Sequence, residues 1–360
     1  MYALVFTGIP TALTKFLGEY KSDNNLKAEY LSNSLFLMLA IFLLLVVAIL
    51  IFASEKLLLI LFLFALLIDL AYMGYARGSL DYLKLNGFKF LENVIKLTIL
   101  MIAYLLFKRV SLDFSVVFYS LSSVVSLIIF EFIRPAFKIQ WYVSRTRMIE
   151  IIRYVIPVTM GAVGWTLLFG ISSVYVEHFY GHEQVGYFSI GLTLMQVFSF
   201  LPDAVNMIIM PKVAALKDKE TILRPIKLAV AGCVVVSLVI LIPLTIFRTM
   251  IVVIIFSDKY LPAVAVILPL GISQVFFAAL QVYGSVWQGL GKPGIPSIII
   301  GVATGLNIVL GYFLIKNYGI FGASVSLAIC AFIAWLITVI YWRKWLRRGG
   351  LDSFNIIKAD

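Results

Sequence analysis

The chain has 360 residues, of which 62% are hydrophobic and 13% charged, with a mean hydropathy of +1.04 and a formal net charge of +11. A soluble domain has an apolar share nearer half, so this composition excludes one and requires a membrane protein. The positive charge does not point to nucleic acid, because the Lys and Arg residues fall in short connections between apolar runs, where anionic lipid surfaces are the natural neighbours.

A spanning helix needs about 20 predominantly apolar residues, because lipid offers no partners for backbone polar groups. Eleven such segments are predicted, in order Tyr2 to Gly18, Asn33 to Ala53, Leu57 to Ala76, Phe88 to Phe107, Asp113 to Ile133, Tyr154 to Val176, Val185 to Met210, Ile226 to Phe247, Ala263 to Trp287, Ile295 to Lys316 and Gly319 to Trp342. The first is short and carries Gly8, Pro10 and Lys15; with Pro10 in its apolar run and no basic stretch before it, it does not read as a cleavable signal peptide. Residues 1–133 therefore form an N-lobe, 134–153 a basic linker with five Lys/Arg residues, 154–342 a C-lobe and 343–360 a tail. Cys233 and Cys330 each lie inside an apolar run and read as small core residues.

Orientation follows from the Lys/Arg bias of short connections. The connections at 15–27, 77–89, 134–153, 212–227 and 292, with the tail after Trp342, carry 22 basic residues, whereas those at 56, 108–109, 248–259 and 316 carry six. The linker and C-terminus are thus expected in the cytoplasm and residue 1 outside.

The two halves repeat. Ile-Pro-Thr-Ala around Pro10 matches Leu-Pro-Asp-Ala around Pro202 at an offset of 192, and the later helices of the first half fall on those of the second at an offset of about 207, the extra residues lying near Phe256 to Pro262. The segment Tyr154 to Val176 finds no counterpart within the chain. The expected plan is six plus six helices with the first absent, the halves related by a pseudo-twofold along the membrane normal.

Several stretches resemble a known family. HFYGHEQVGYFSIGLTLMQ (178–196) followed by LPDAVNMIIMPKVAAL (201–216) is similar to the polysaccharide-biosynthesis exporters, where a short external loop leads into a Val-Gly-Tyr helix ending in a Pro-containing cytoplasmic turn. The region 284–329 resembles their penultimate hairpin, with turns at Gly291 to Pro293 and Tyr318 to Ala323, and TGIPTALTKFLGEY (7–20) resembles their second helix. These belong to the multidrug, oligosaccharidyl-lipid and polysaccharide exporter superfamily. The resemblance implies an all-α polytopic membrane protein in two six-helix lobes, here about 11 helices, and a cell-membrane transporter.

Lys96 stands roughly 12 Å into its helix at 1.5 Å per residue. An ammonium there costs about 2.5 to 3.5 kcal/mol on insertion scales, so it is expected to face a cavity or a partner, with snorkelling as the alternative. Lys89 and Glu92 share its stripe. Asp69 is a candidate partner for Lys96, or a proton or sodium site. Gln196, Gln274, Gln281 and Gln288 are uncharged polar residues in apolar helices; the last three recur every seven residues on one face, able to bond sugar hydroxyls or to cement helices. Arg145, Arg147 and Arg153 end the linker at the cytoplasmic mouth, where guanidinium groups could attract a pyrophosphate or only enforce topology. His178 and His182 share a loop, but Gly181 interrupts the spacing that helical zinc ligands need, and no nucleophile, phosphate loop or cofactor signature is present.

The expected function is a flippase, not an enzyme, that moves a polyprenyl-linked oligosaccharide for cell-surface glycan assembly by alternating access. Membrane lipids, and possible glycan polymerase or transferase partners, surround it. A cation-coupled multidrug exporter of the same fold, its coupling ion Na+ or H+, is the rival; a truncated inactive product is a third reading.

Overall fold

The computed structural model describes residues 2–52, 57–107, 112–133, 142–215 and 219–349. The first part of the expected linker (134–141), the tail from 350 onward, and Lys56, Lys108, Arg109 and Lys217 lie outside the described residues. Every regular element in the described residues is helical. They are α1 (Tyr2–Glu19), α2 (Asn24–Phe52), α3 (Leu58–Gly78), α4 (Tyr82–Phe107), α5 (Leu112–Ile133), α6 (Arg145–Tyr180), α7 (His182–Met195), α8 (Phe200–Ala215), α9 (Lys219–Ile246), α10 (Arg248–Phe256), α11 (Val264–Gly289) and α12 (Gly294–Arg347). Short 3-10 turns link α7 to α8 and α10 to α11. Seven runs among the described residues are long and apolar enough to cross a membrane. The chain divides into two compact units, 1–159 and 160–360, with the boundary inside α6.

In unit 1, α2 starts nine residues earlier than its apolar run, because the Asp23 carboxylate accepts the N–H groups of Asn25 (2.9 Å) and Leu26 (3.0 Å) and so caps the helix. The polar residues that follow are thereby helical. α1 continues through Pro10, and the Thr14 hydroxyl donates to the Pro10 carbonyl (2.9 Å) and the Gly74 carbonyl (3.3 Å). α3 approaches α1 through Gly74 and Gly78, one turn apart; a methyl group on Gly74 would stand 2.9 Å from the Pro10 Cα. Small residues at this spacing let two backbones come close where no hydrophobic effect drives helices together.

In unit 2, the later part of α6 lies along the first arm of α12 by the same device. Gly161 faces Ser297 and Gly164 faces Ile300, while the Thr304 hydroxyl donates to the Gly164 carbonyl (2.9 Å). Fully buried Asn307 donates to the Leu168 carbonyl (2.8 Å) and the Ser172 hydroxyl (3.0 Å) and accepts from Ser326 (2.6 Å), so one carboxamide pins three helical segments. Trp165, Phe169 and Phe277 fill the core beside them.

Several expected boundaries are corrected. Arg145 to Arg153, read as linker, form the first turns of α6. The run expected over Val185 to Met210 extends over His182–Ala215, is broken by a 3-10 turn at Gln196–Ser199, and carries Pro211 inside α8 rather than in a terminal turn. The last two expected helices, by contrast, stand as two arms of α12 that meet at Gly319, whose φ of 56° and ψ of −138° only glycine adopts without strain. The Tyr180 hydroxyl donates to the Lys316 carbonyl (3.0 Å) just before the bend.

The helices that the expected repeat would pair, α3 and α11, end in the same way. α3 ends with the Leu80 N–H on the Arg77 carbonyl and the Asp81 N–H on the Ala76 carbonyl (both 3.1 Å). α11 ends with the Gly291 N–H on the Gln288 carbonyl (3.0 Å) and the Lys292 N–H on the Trp287 carbonyl (2.8 Å). Both are the paired 5→2 and 6→1 closure that requires a left-handed residue, and Leu80 (φ 57°) and Gly291 (φ 71°) supply it. The residues added in the second unit build α10 and the 3-10 turn after it, wider than the Phe256 to Pro262 expected.

Candidate functional site

The stripe Lys89, Glu92, Lys96 lies on α4 within unit 1 and is held against α3 and α5. Lys89 Nζ reaches both carboxylate oxygens of Asp69 on α3 (2.5 Å each) and Glu92 Oε2 (2.9 Å). Lys96 Nζ reaches Glu92 Oε1 (2.5 Å) and sits 3.7 Å from the centroid of the Tyr119 ring on α5. The Ser123 hydroxyl, also on α5, donates to Glu92 Oε1 (2.7 Å). Glu92 is 0% exposed and Asp69 6%.

Two ammonium groups and two carboxylates thus form a buried cluster with no net formal charge. Glu92 is its hinge, accepting from both lysines and a serine, while Asp69 is satisfied by Lys89 rather than by Lys96. The sequence stripe located the three α4 residues. Tyr119 and Ser123 were missed, although Ser120, Ser122, Ser123 and Ser126 mark a buried polar face of α5 in the sequence itself.

A second polar cluster lies where α6 meets α2, also within unit 1. Arg147 Nε is 3.2 Å from Glu29 Oε2, and its Nη1 is 3.2 Å from both Glu150 Oε2 and the Tyr30 hydroxyl. Tyr30 donates to Glu150 Oε2 (2.5 Å) and stacks on Phe16, with ring centroids 4.3 Å apart. Fully buried Asn33 donates to the Tyr142 carbonyl (3.1 Å) and accepts from the Ser144 N–H (2.9 Å), fixing the approach to α6. In the turn between α1 and α2, burial pushes the Tyr20 phenol above its ordinary pKa, the neighbouring Glu19 charge adding to it.

The family model described as polysaccharide biosynthesis protein matches residues 1–216. The chain belongs to the polysaccharide biosynthesis protein family. Two membrane proteins of Methanocaldococcus jannaschii, each described as uncharacterized, are similar to it: one is 26% identical over 65% of the chain and 48% of the relative, the other 24% identical over 53% and 45%. The chain spans about half the length of these curated relatives. Among solved structures, an outward-facing multidrug resistance MATE family transporter of the MOP superfamily superposes with a TM-score of 0.84 at 13% identity, covering 98% of this chain and 86% of that one. A MOP superfamily transporter from Pyrococcus furiosus, described as having a binding pocket of reverse polarity that suggests a different function, superposes at 0.80 with 14% identity, covering 98% and 85%. This polysaccharide biosynthesis protein is therefore a multi-pass membrane protein with the MATE transporter fold.

The other sequence-selected residues of this family member fall into separate places. Arg147 is committed to Glu29 and Glu150, whereas Arg145 and Arg153 are exposed on α6. On α11, Gln274 is buried, while Gln281 and Gln288 are half-buried, and the Gln281 carboxamide oxygen is buried without a hydrogen-bond partner among the described residues. Gln196 is exposed in the 3-10 turn between α7 and α8. His182 Nδ1 lies 3.1 Å from Glu177 Oε1 at the turn formed by Gly181.

Proposed function

We propose that this protein is a flippase for a polyprenyl-phosphate-linked or diphosphate-linked oligosaccharide, exchanging its head group between leaflets by alternating access. The observation that carries the reading is that both buried carboxylates among the described residues of unit 1, Asp69 and Glu92, are already neutralised by lysine. A cation-coupled drug exporter needs a carboxylate released to take up its ion or its cationic cargo; here each would first have to surrender an ammonium partner. For an anionic head group the order is natural, because an incoming phosphate displaces a carboxylate from a lysine, and two lysines in one stripe present two donors. Membership of a polysaccharide biosynthesis family agrees with such a cargo, and the reversed pocket polarity ascribed to the Pyrococcus furiosus transporter offers a precedent for a different function on this fold.

Arg145 and Arg153, exposed at the start of α6, serve on this reading as the cytoplasmic mouth that gathers the phosphate before transfer. The glutamines of α11 offer carboxamides to sugar hydroxyls. The test is reconstitution of the full chain into proteoliposomes with a fluorescent polyprenyl-diphosphate oligosaccharide in one arm and an organic-cation dye under a proton or sodium gradient in the other. Movement of the glycolipid, lost in Lys96→Ala and retained in part in Lys96→Arg, is the expected result. Gradient-driven dye export without glycolipid movement would make the chain a cation-coupled exporter.

A further inference from the structure

Unit 2 contains a furrow of about 500 Å³ between α11 and the second arm of α12, a volume within the range of small-molecule sites. Of the 11 side chains lining it, only Arg248, at the head of α10, is polar. Along α11 the lining runs from Ala265 to Phe276 and along α12 from Phe321 to Phe332, so the furrow extends about 16 Å at 1.5 Å per residue. That is close to half of a hydrocarbon core of about 30 Å, the depth of one leaflet. Its inner end is closed by the Phe276 and Phe332 rings, in edge contact at 5.3 Å and backed by Trp335. Its other end lies where α9 leaves and α11 begins, and Arg248 stands there. No carboxylate pairs with Arg248 among the described residues. This end of unit 2 is opposite the one bearing Lys292, just past the end of α11, and Arg343, near the end of α12.

We propose that this furrow holds the isoprenoid chain of a polyprenyl phosphate, with Arg248 on the phosphate, as a resting site in the leaflet where cargo is released. The proposal rests on the flippase reading for the identity of the lipid. The shape selects it: one furrow, walled by two helices and one leaflet deep, takes one apolar chain, and a single guanidinium at its mouth complements one anionic group. A neutral sugar head would leave that cation unanswered, and a two-chain phospholipid would leave its second chain outside.

The experiment uses the full chain purified in detergent, with binding of a polyprenyl monophosphate, the matching polyprenol, phosphatidylglycerol and inorganic phosphate each read by native mass spectrometry. Polyprenyl monophosphate is expected to bind about ten-fold tighter than polyprenol, the effect of one charge-assisted hydrogen bond, and tighter than phosphatidylglycerol or inorganic phosphate. Arg248→Gln is expected to erase the preference over polyprenol, and Ala328→Trp to weaken both isoprenoids by filling the furrow. Ala265→Phe, at the exposed rim, blocks it independently should Ala328→Trp fail to fold. Binding of polyprenyl monophosphate unchanged by Arg248→Gln and by the blocking variants, or preferential retention of phosphatidylglycerol, overturns the proposal. The glycolipid transport assay, run in parallel, separates the two failures: transport with no furrow binding removes only this site, and furrow binding with no transport removes the flippase reading.

Discussion

Glu92 is the residue on which the buried cluster of α4 depends, since it alone accepts from Lys89, Lys96 and Ser123. Removing one member of a buried ion pair leaves an uncompensated charge and costs about 3–5 kcal/mol, whereas replacing the pair by apolar residues of similar size is close to neutral. Glu92→Leu is therefore expected to lower the melting temperature of the detergent-solubilised protein sharply, and Glu92→Leu with Lys96→Leu to recover most of the loss, because Lys89 keeps Asp69. A double variant no more stable than Glu92→Leu would show that the cluster does not hold Lys96 through its charge. The sequence revealed this site as far as one helix could: Lys89, Glu92 and Lys96 at helical spacing must share a face. It did not reveal that Asp69 takes Lys89 rather than Lys96, because that choice depends on the axial offset of α3 and α4, which the turn at Ser79 to Asp81 sets.

That turn is also where an element carries strain. A non-glycine residue in the left-handed region costs about 1–2 kcal/mol, and Leu80 occupies the position that Gly291 fills in the second unit. Leu80→Gly is expected to raise stability by about 0.5–1 kcal/mol, the added freedom of the unfolded chain and the lost leucine contacts offsetting part of the gain. Gly319→Ala runs the other way, by about 1–3 kcal/mol, since its φ and ψ are open only to glycine. Thermal unfolding of both variants beside the parent checks the pair, and equal melting temperatures for all three would contradict the cap assignment. At this scale the apolar runs predicted which helices exist, and Gly319 stood at a predicted boundary. The ends were misread because polar extensions such as Asn24 to Ser32 and Arg145 to Arg153 resemble connections by composition and become helical only through Asp23 and through Arg147 pairing with Glu29 and Glu150. The Gly74 and Gly78 pair was visible as two glycines one turn apart, yet its meaning needs the partner helix.

For the whole molecule, apolar runs sufficed to specify an all-helical membrane protein, because lipid leaves the backbone little choice, whereas the exporter fold was legible only through the resemblance of 7–20, 178–216 and 284–329. Orientation is a separate matter, since it depends on which connections cross the membrane rather than on packing. The charge bias predicts Lys212 and Arg343 on the cytoplasmic side and Lys259 and Lys316 outside, and all four are exposed. The native thiols, Cys233 and Cys330, are both buried, so a membrane-impermeant maleimide meets a low background on the parent chain. Single cysteines at 259 and 316 are expected to label in intact cells, and those at 212 and 343 only after permeabilisation. The opposite pattern would invert the protein, placing Arg248 and its furrow in the cytoplasmic leaflet. On the flippase proposal the furrow would then receive cargo rather than release it, so the labelling result decides the direction in which the proposed lipid site is used.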